Sequence, residues 1–227
     1  MRLIRLFGLA ALAAGILMAF VGVTSASAVT ELEKVVVCGV ATDPCPANSD
    51  LLTGLILHGE LKAGTEAKLE TAIGTVKCNE SKVLGETTEL LAHGKITAAS
   101  FNTNGGACKL GLTNCPVEVK NLPYLVLVLL ADDHVKYHAV VGGGTLGEPK
   151  ANVNCGGALN CNYHAALILF EVLLETHDTV WDVHQELERE GGVGLFCPAG
   201  STWNAEYLTR CLDGSANFID CFPKMES

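Results

Sequence analysis

Histidines and carboxylates carry most acid–base and metal chemistry near neutral pH. His134 and His138, in the string His-Val-Lys-Tyr-His, form the tightest polar pair, with Asp132 and Asp133 just ahead of them. On a helix such a pair could share a zinc ion. On a strand the two share a face about 13 Å apart, too far for one ion without a cross-strand partner. The aspartate turn before them and Gly142-Gly143-Gly144 after them favour the strand, so they read as two solvent-facing histidines of a hairpin. His164, His177 and His184 stand near predicted turns and read as exposed. Glu171, Glu175, Glu186, Glu188 and Glu190 could converge across strands as the paired carboxylates of a glycan-directed hydrolase. A chain with 25 Asp and Glu also brings carboxylates together by chance, and solvated strand faces are the plainer reading.

Nucleophiles fare no better. Ser81, Ser100, Ser201 and Ser215 lie in no Gly-x-Ser-x-Gly elbow, and an even number of cysteines leaves no thiol over for catalysis. Gly142-Gly143-Gly144 lacks the following lysine and the strand-to-helix setting of a phosphate loop, so it reads as a turn. Asn79-Glu80-Ser81 matches a glycan acceptor, a short pattern that matters only in a host that glycosylates. The expectation is therefore a protein with no catalytic residues, no cofactor and no bound metal.

Ten cysteines are the strongest chemical signal: Cys38, Cys45, Cys78, Cys108, Cys115, Cys155, Cys161, Cys197, Cys211 and Cys221. Zinc knuckles need Cys-x2-Cys spacing, whereas the shortest gaps here hold five or six residues, so disulfides are expected. Locality suggests Cys38 with Cys45 around Asp43-Pro44, then Cys211 with Cys221 around Asp213-Gly214-Ser215, with Cys78 to Cys108 the most plausible long link.

Disulfides need an oxidising compartment, and the first 28 residues supply a route to one. Arg2 and Arg5 precede an apolar run from Leu6 to Val23, and Ala26-Ser27-Ala28 has the small residues of a cleavage site. An uncleaved anchor is the alternative, because the run just reaches membrane-spanning length. Residues 29–227 then form a single secreted domain, without stable membrane insertion once the signal is gone. The formal net charge is −10, and losing two arginines makes it more negative. That balance repels phosphate backbones and argues against nucleic acid as a partner. It leaves an extracellular or cell-envelope ligand.

The elements that must position all this alternate with period two, the mark of half-buried strands. Leu55 to Leu61 reads as a strand ending at Ala63-Gly64-Thr65, with Ala67 to Thr71 as its hairpin partner and Gly74 marking a bulge. Val117 to Ala131 is a long strand or a pair broken at Pro123, answered by His134 to Val141. Ala165 to Leu174 and the Val180 segment form a further hairpin, even though Gln185 to Glu190 are good helix formers. Trp203, Ala205 and Tyr207 alternate in a last strand. About ten strands predict an all-β, disulfide-stapled antiparallel sandwich or barrel. Leu125 to Ala131 and Ala165 to Leu174 are apolar on both faces, so they lie centrally or present a surface for self-association.

Several strings in order resemble a group of secreted, cysteine-containing, β-rich proteins of soil actinobacteria. They include Leu61-Lys62-Ala63-Gly64-Thr65, Gly74-Thr75-Val76-Lys77-Cys78, Val119-Lys120-Asn121-Leu122-Pro123-Tyr124 and Thr202-Trp203-Asn204-Ala205-Glu206-Tyr207. The resemblance implies export and an all-β fold and brings no catalytic residues with it. The functional expectation is a non-catalytic extracellular binding or structural protein, with the carboxylate hydrolase as its alternative.

Overall fold

A strand with one apolar face must cover it, and a sheet that closes on itself does so without leaving an exposed edge. The computed structural model describes residues 35–39, 54–88, 93–102, 106–131, 136–156, 159–175, 178–192, 197–213, 215, 217–219 and 221–225. Among the described residues every regular element is a strand.

After β1 (Val35–Cys38), β2 (Ile56–Leu61) and β3 (Ala67–Thr71) form two halves of one line along the wall. β4 (Gly74–Cys78) pairs with β3 and β5 (Glu80–Thr87) with β2, making the second line. β6 (His93–Asn102) is the third. A small hairpin, β7 (Cys108–Leu110) and β8 (Thr113–Cys115), hangs on β4. β9 (Val117–Lys120) and β10 (Tyr124–Ala131) share one edge of β6 as the fourth line. β11 (Lys136–Gly142) and β12 (Lys150–Asn154) are the fifth, and β13 (Asn160–His164) and β14 (Leu167–Leu174) the sixth. β15 (Thr179–Gly192) and β16 (Gly200–Leu212) run unbroken as the seventh and eighth, and β16 pairs back onto β2 and β3. β17 (Phe218–Ile219) adds to β16, and β18 (Phe222–Met225) pairs with β1 in a separate ribbon.

Every neighbouring pair is antiparallel, so the fold is a closed eight-stranded, up-and-down β-barrel with extra strands at its ends. This settles the choice between sandwich and barrel. The broken lines divide the wall into an upper half, built around β3, β4, β9, β12 and β13, and a lower half around β2, β5, β10, β11 and β14. The predicted break at Pro123 is where the fourth line divides. There Asn121 has φ 64°, and its Nδ2 donates to the Glu148 carbonyl at 2.9 Å. Gly144 passes so close that a Cβ would lie 2.2 Å from the Pro123 carbonyl oxygen, which is why the triple-glycine turn contains no side chain there.

Two local expectations are corrected. β3 is not the hairpin partner of β2: Thr65 folds back on the Lys62 carbonyl through its N–H at 3.0 Å and its Oγ1 at 2.8 Å. That turn offsets the chain without reversing it, and both strands pair with β16 in the same sense. Gly74 marks no bulge; at φ 138° it closes the β3–β4 hairpin, where Thr71 pairs with Gly74.

Inward positions carry the core. Val126, Ala139, Val141, Ile168, Phe170 and Val183 fill the lower half, and Val76, Val153, Tyr163 and Leu187 line the upper half. Outward positions such as Lys82, Glu86, Glu118, Asp182 and Glu186 are exposed. Glu186 and its neighbours show tertiary context overriding helix propensity: the alternation of Val183 and Leu187 with charged residues suits a wall with one wet face.

Four disulfides are described. Cys78–Cys108, Cys115–Cys155 and Cys161–Cys197 gather at the upper end, and Cys211–Cys221 ties down the tail. Two of these are the pairs expected from the sequence. Cys38 is also disulfide-bonded, while Cys45 and the pairing expected for it lie outside the described residues. Such bridges belong to an oxidising environment.

Candidate functional site

Barrels of eight strands have interiors wide enough either to be filled by side chains or to hold one small ligand. Here an aromatic layer divides the interior. Phe170 sits 5.8 Å from Trp203, 5.7 Å from Trp181 and 6.4 Å from Tyr207, measured between ring centroids, mostly edge to face. Phe101 closes on Trp203 at 5.9 Å. Above this layer the packing stops short of filling the space. A cavity remains in which the centre of a water-sized sphere can occupy about 100 Å³. Below it are two smaller pockets of about 40 and 30 Å³.

The upper cavity draws its lining from all eight lines, among them Val76, Phe101, Val117, Val153, Ile168 and Leu187. Space arises where inward positions carry alanine: Ala67, Ala99 and Ala151 stand where larger side chains would meet. Lys68, Lys150 and His164 contribute to the lining, and the polar end of each meets an acid. Lys150 Nζ pairs with Glu190, His164 Nδ1 lies 2.8 Å from Glu148, and Lys68 Nζ lies 3.9 Å from Glu66.

Buried polar groups around the cavity fall into two sets. Tyr124 Oη accepts the Lys150 backbone N–H at 3.1 Å and donates to the Lys120 carbonyl, pinning β10 to both β9 and β12. Tyr207 Oη meets Ser81 Oγ at 2.9 Å. Tyr163 Oη, Trp203 Nε1 and Ser201 Oγ, in contrast, are covered and have no protein partner. Burial pushes all three of these tyrosines, Tyr124, Tyr163 and Tyr207, above the ordinary phenol range. The Arg189 charge pulls Tyr163 partly back, and the hydrogen bond from Ser81 does the same for Tyr207. His93, which lines the larger of the two lower pockets, is held below the usual imidazole range by burial.

Of the described histidines, serines and glutamates singled out by type and spacing, His164 borders the cavity and the others lie elsewhere. Asp132, Asp133, His134 and His177 fall outside the described residues. His138 sits half-buried on β11, paired across the sheet with Leu129 and Glu171. His164 and His184 belong to strands and not to turns; His164 is half-buried against Glu148, and His184 bonds Asn204. Glu186, Glu188 and Glu190 project together from the outer face of β15, Glu175 pairs with Lys62 at 2.8 Å, and none of the five glutamates lines the cavity. Among the described residues no group of three or more His, Cys, Asp or Glu could hold a metal. Ser81 is committed to Tyr207, Ser100 is exposed, and the Ser215 N–H donates to Asp213. Of the segments apolar on both faces, Val126, Val128, Ile168 and Phe170 enter the core, while Leu169 and Leu173 remain 41% and 47% exposed outside.

The residues that form the site were missed because they are ordinary apolar side chains spread over more than a hundred positions. The one available signal was small inward residues on several lines at once. Fold and site together define a closed barrel with an apolar internal chamber. No family model, curated protein or solved structure matches the chain.

Proposed function

We propose that this is a non-catalytic, exported binding protein whose barrel holds a small apolar molecule in its upper half. The observation that carries the reading is the cavity itself: a void this size amid apolar side chains forfeits packing energy unless something fills it. Export is supported by the amino-terminal leader pattern and by the disulfides, which suit an oxidising compartment. The outward charges around most of the wall and the acidic balance suit a freely dissolved protein.

The space accommodates a ligand of no more than about six or seven non-hydrogen atoms, judged against an engineered apolar cavity of about 150 Å³ that binds benzene. At efficiencies of roughly 0.5–1 kcal/mol per atom, Kd falls on the order of 10 µM to several mM. Calorimetry and thermal melts of the oxidised protein with benzene, toluene and xenon test this. Saturable binding with a rising Tm is the expected result. Full titrations showing neither heat nor a shift in Tm would remove the proposal.

A further inference from the structure

Resting on the binding reading above, we infer that the chamber is a hydrocarbon site, whose occupant is an uncharged molecule of about one six-membered ring bearing no hydrogen-bonding group. The argument lies in what the wall offers. Lys68, Lys150 and His164 are turned to Glu66, Glu190 and Glu148, so no free charge is left to meet an anion. Tyr124 Oη is already used by the backbone of β9 and β12. Tyr163 and Trp203 form part of the wall, yet Tyr163 Oη and Trp203 Nε1 are themselves covered, so these residues present carbon to the cavity. A hydroxyl or carboxylate carried inside would therefore lose its water and gain no partner.

Selectivity follows from that penalty. Burying an unpartnered hydroxyl costs enough to weaken binding about 10- to 100-fold, and a carboxylate loses far more. The chamber rejects polar analogues of a good ligand by leaving them unsatisfied, with no steric clash required.

Toluene, benzyl alcohol and benzoate differ in this respect while sharing the ring, and calorimetry on the oxidised protein ranks them. The expected result is toluene tighter than benzyl alcohol by tenfold or more, no binding of benzoate, and the same ranking in Tyr163→Phe. Benzyl alcohol binding as tightly as toluene, with that affinity lost in Tyr163→Phe, would overturn the inference and leave the binding reading intact. Failure of all three, together with xenon, removes the binding reading and the inference with it. The wild-type ranking decides by itself, so a Tyr163→Phe chain that does not fold leaves the test standing.

Discussion

Tyr207 Oη and Ser81 Oγ meet at 2.9 Å in the barrel interior, 126 residues apart in the chain. The bond joins the eighth line to the second across the first, so it ties together parts of the wall that share no ladder. Phe170 and Trp203 pack their rings against Tyr207, and the phenol can reach no water. Substituting either partner leaves the other unpaired in an apolar setting.

Tyr207→Phe and Ser81→Ala should each destabilise the protein by about 1–3 kcal/mol, the cost of one orphaned buried hydroxyl. The double variant should cost distinctly less than the two singles added together, because it removes both polar groups at once. Urea midpoints of the four proteins measure this. Strict additivity would mean that the two hydroxyls do not support each other.

Alkaline pH acts on the same interior. Tyr124, Tyr163 and Tyr207 all have phenols raised above the usual value of about 10 by burial. Below pH 10 the folded and unfolded chains both hold these protons, and stability is unaffected. Above it the unfolded chain releases protons that the folded chain keeps, so stability falls as pH rises. Each tyrosine contributes a slope approaching about 1.4 kcal/mol per pH unit. Denaturation midpoints between pH 8 and 11, with absorbance at 295 nm as the titration signal, should show phenolate appearing together with unfolding. Ionisation of most of the tyrosines in a protein that stays folded would contradict it.

The bridges differ in the loops they close. Cys115–Cys155 spans 40 positions and Cys211–Cys221 spans 10. In the chain-entropy account the longer loop contributes about 1 kcal/mol more, within totals of roughly 2–4 kcal/mol. Replacing Cys115 and Cys155 by serine should therefore lower the urea midpoint more than replacing Cys211 and Cys221. An equal or reversed order would point to strain or denatured-state structure outweighing loop closure.

Much of the architecture was readable because strands advertise themselves locally. Pro123 marks the break in the fourth line, since a residue without an N–H cannot continue a ladder. Cys211 and Cys221 flank a turn and pair as neighbours. Alternation in Trp203, Ala205 and Tyr207 reveals which side of β16 faces inward. Closure was less legible, because the sequence of β2 and β3 looks like a hairpin, and only their shared partner β16 shows that the chain continues in the same direction. The chamber was not legible at all. It depends on how Ala67, Ala99 and Ala151, on three separate strands, come to line one cavity, a three-dimensional coincidence with no short-range pattern, whereas Glu186, Glu188 and Glu190, which attract attention in one dimension, are exposed on the outer face.

Those alanines give the sharpest link between stability and binding. Ala151 is an inward position on β12, directly opposite Val119 and Tyr163 in the ladder, and its methyl borders the empty space. Ala151→Leu adds three carbons where there is room, so it should recover packing lost to the void and stabilise the protein by about 0.5–2 kcal/mol. The same atoms occupy the ligand's volume, so toluene affinity should fall at least tenfold. Urea midpoints and calorimetry on one preparation read both quantities. Opposite movement of stability and affinity is what a functional cavity requires, because a void kept for a ligand withholds packing energy from the empty protein. A variant that is stabilised yet binds toluene undiminished would place the ligand elsewhere. A variant that is destabilised would mean that the wall around Ala151 is already full.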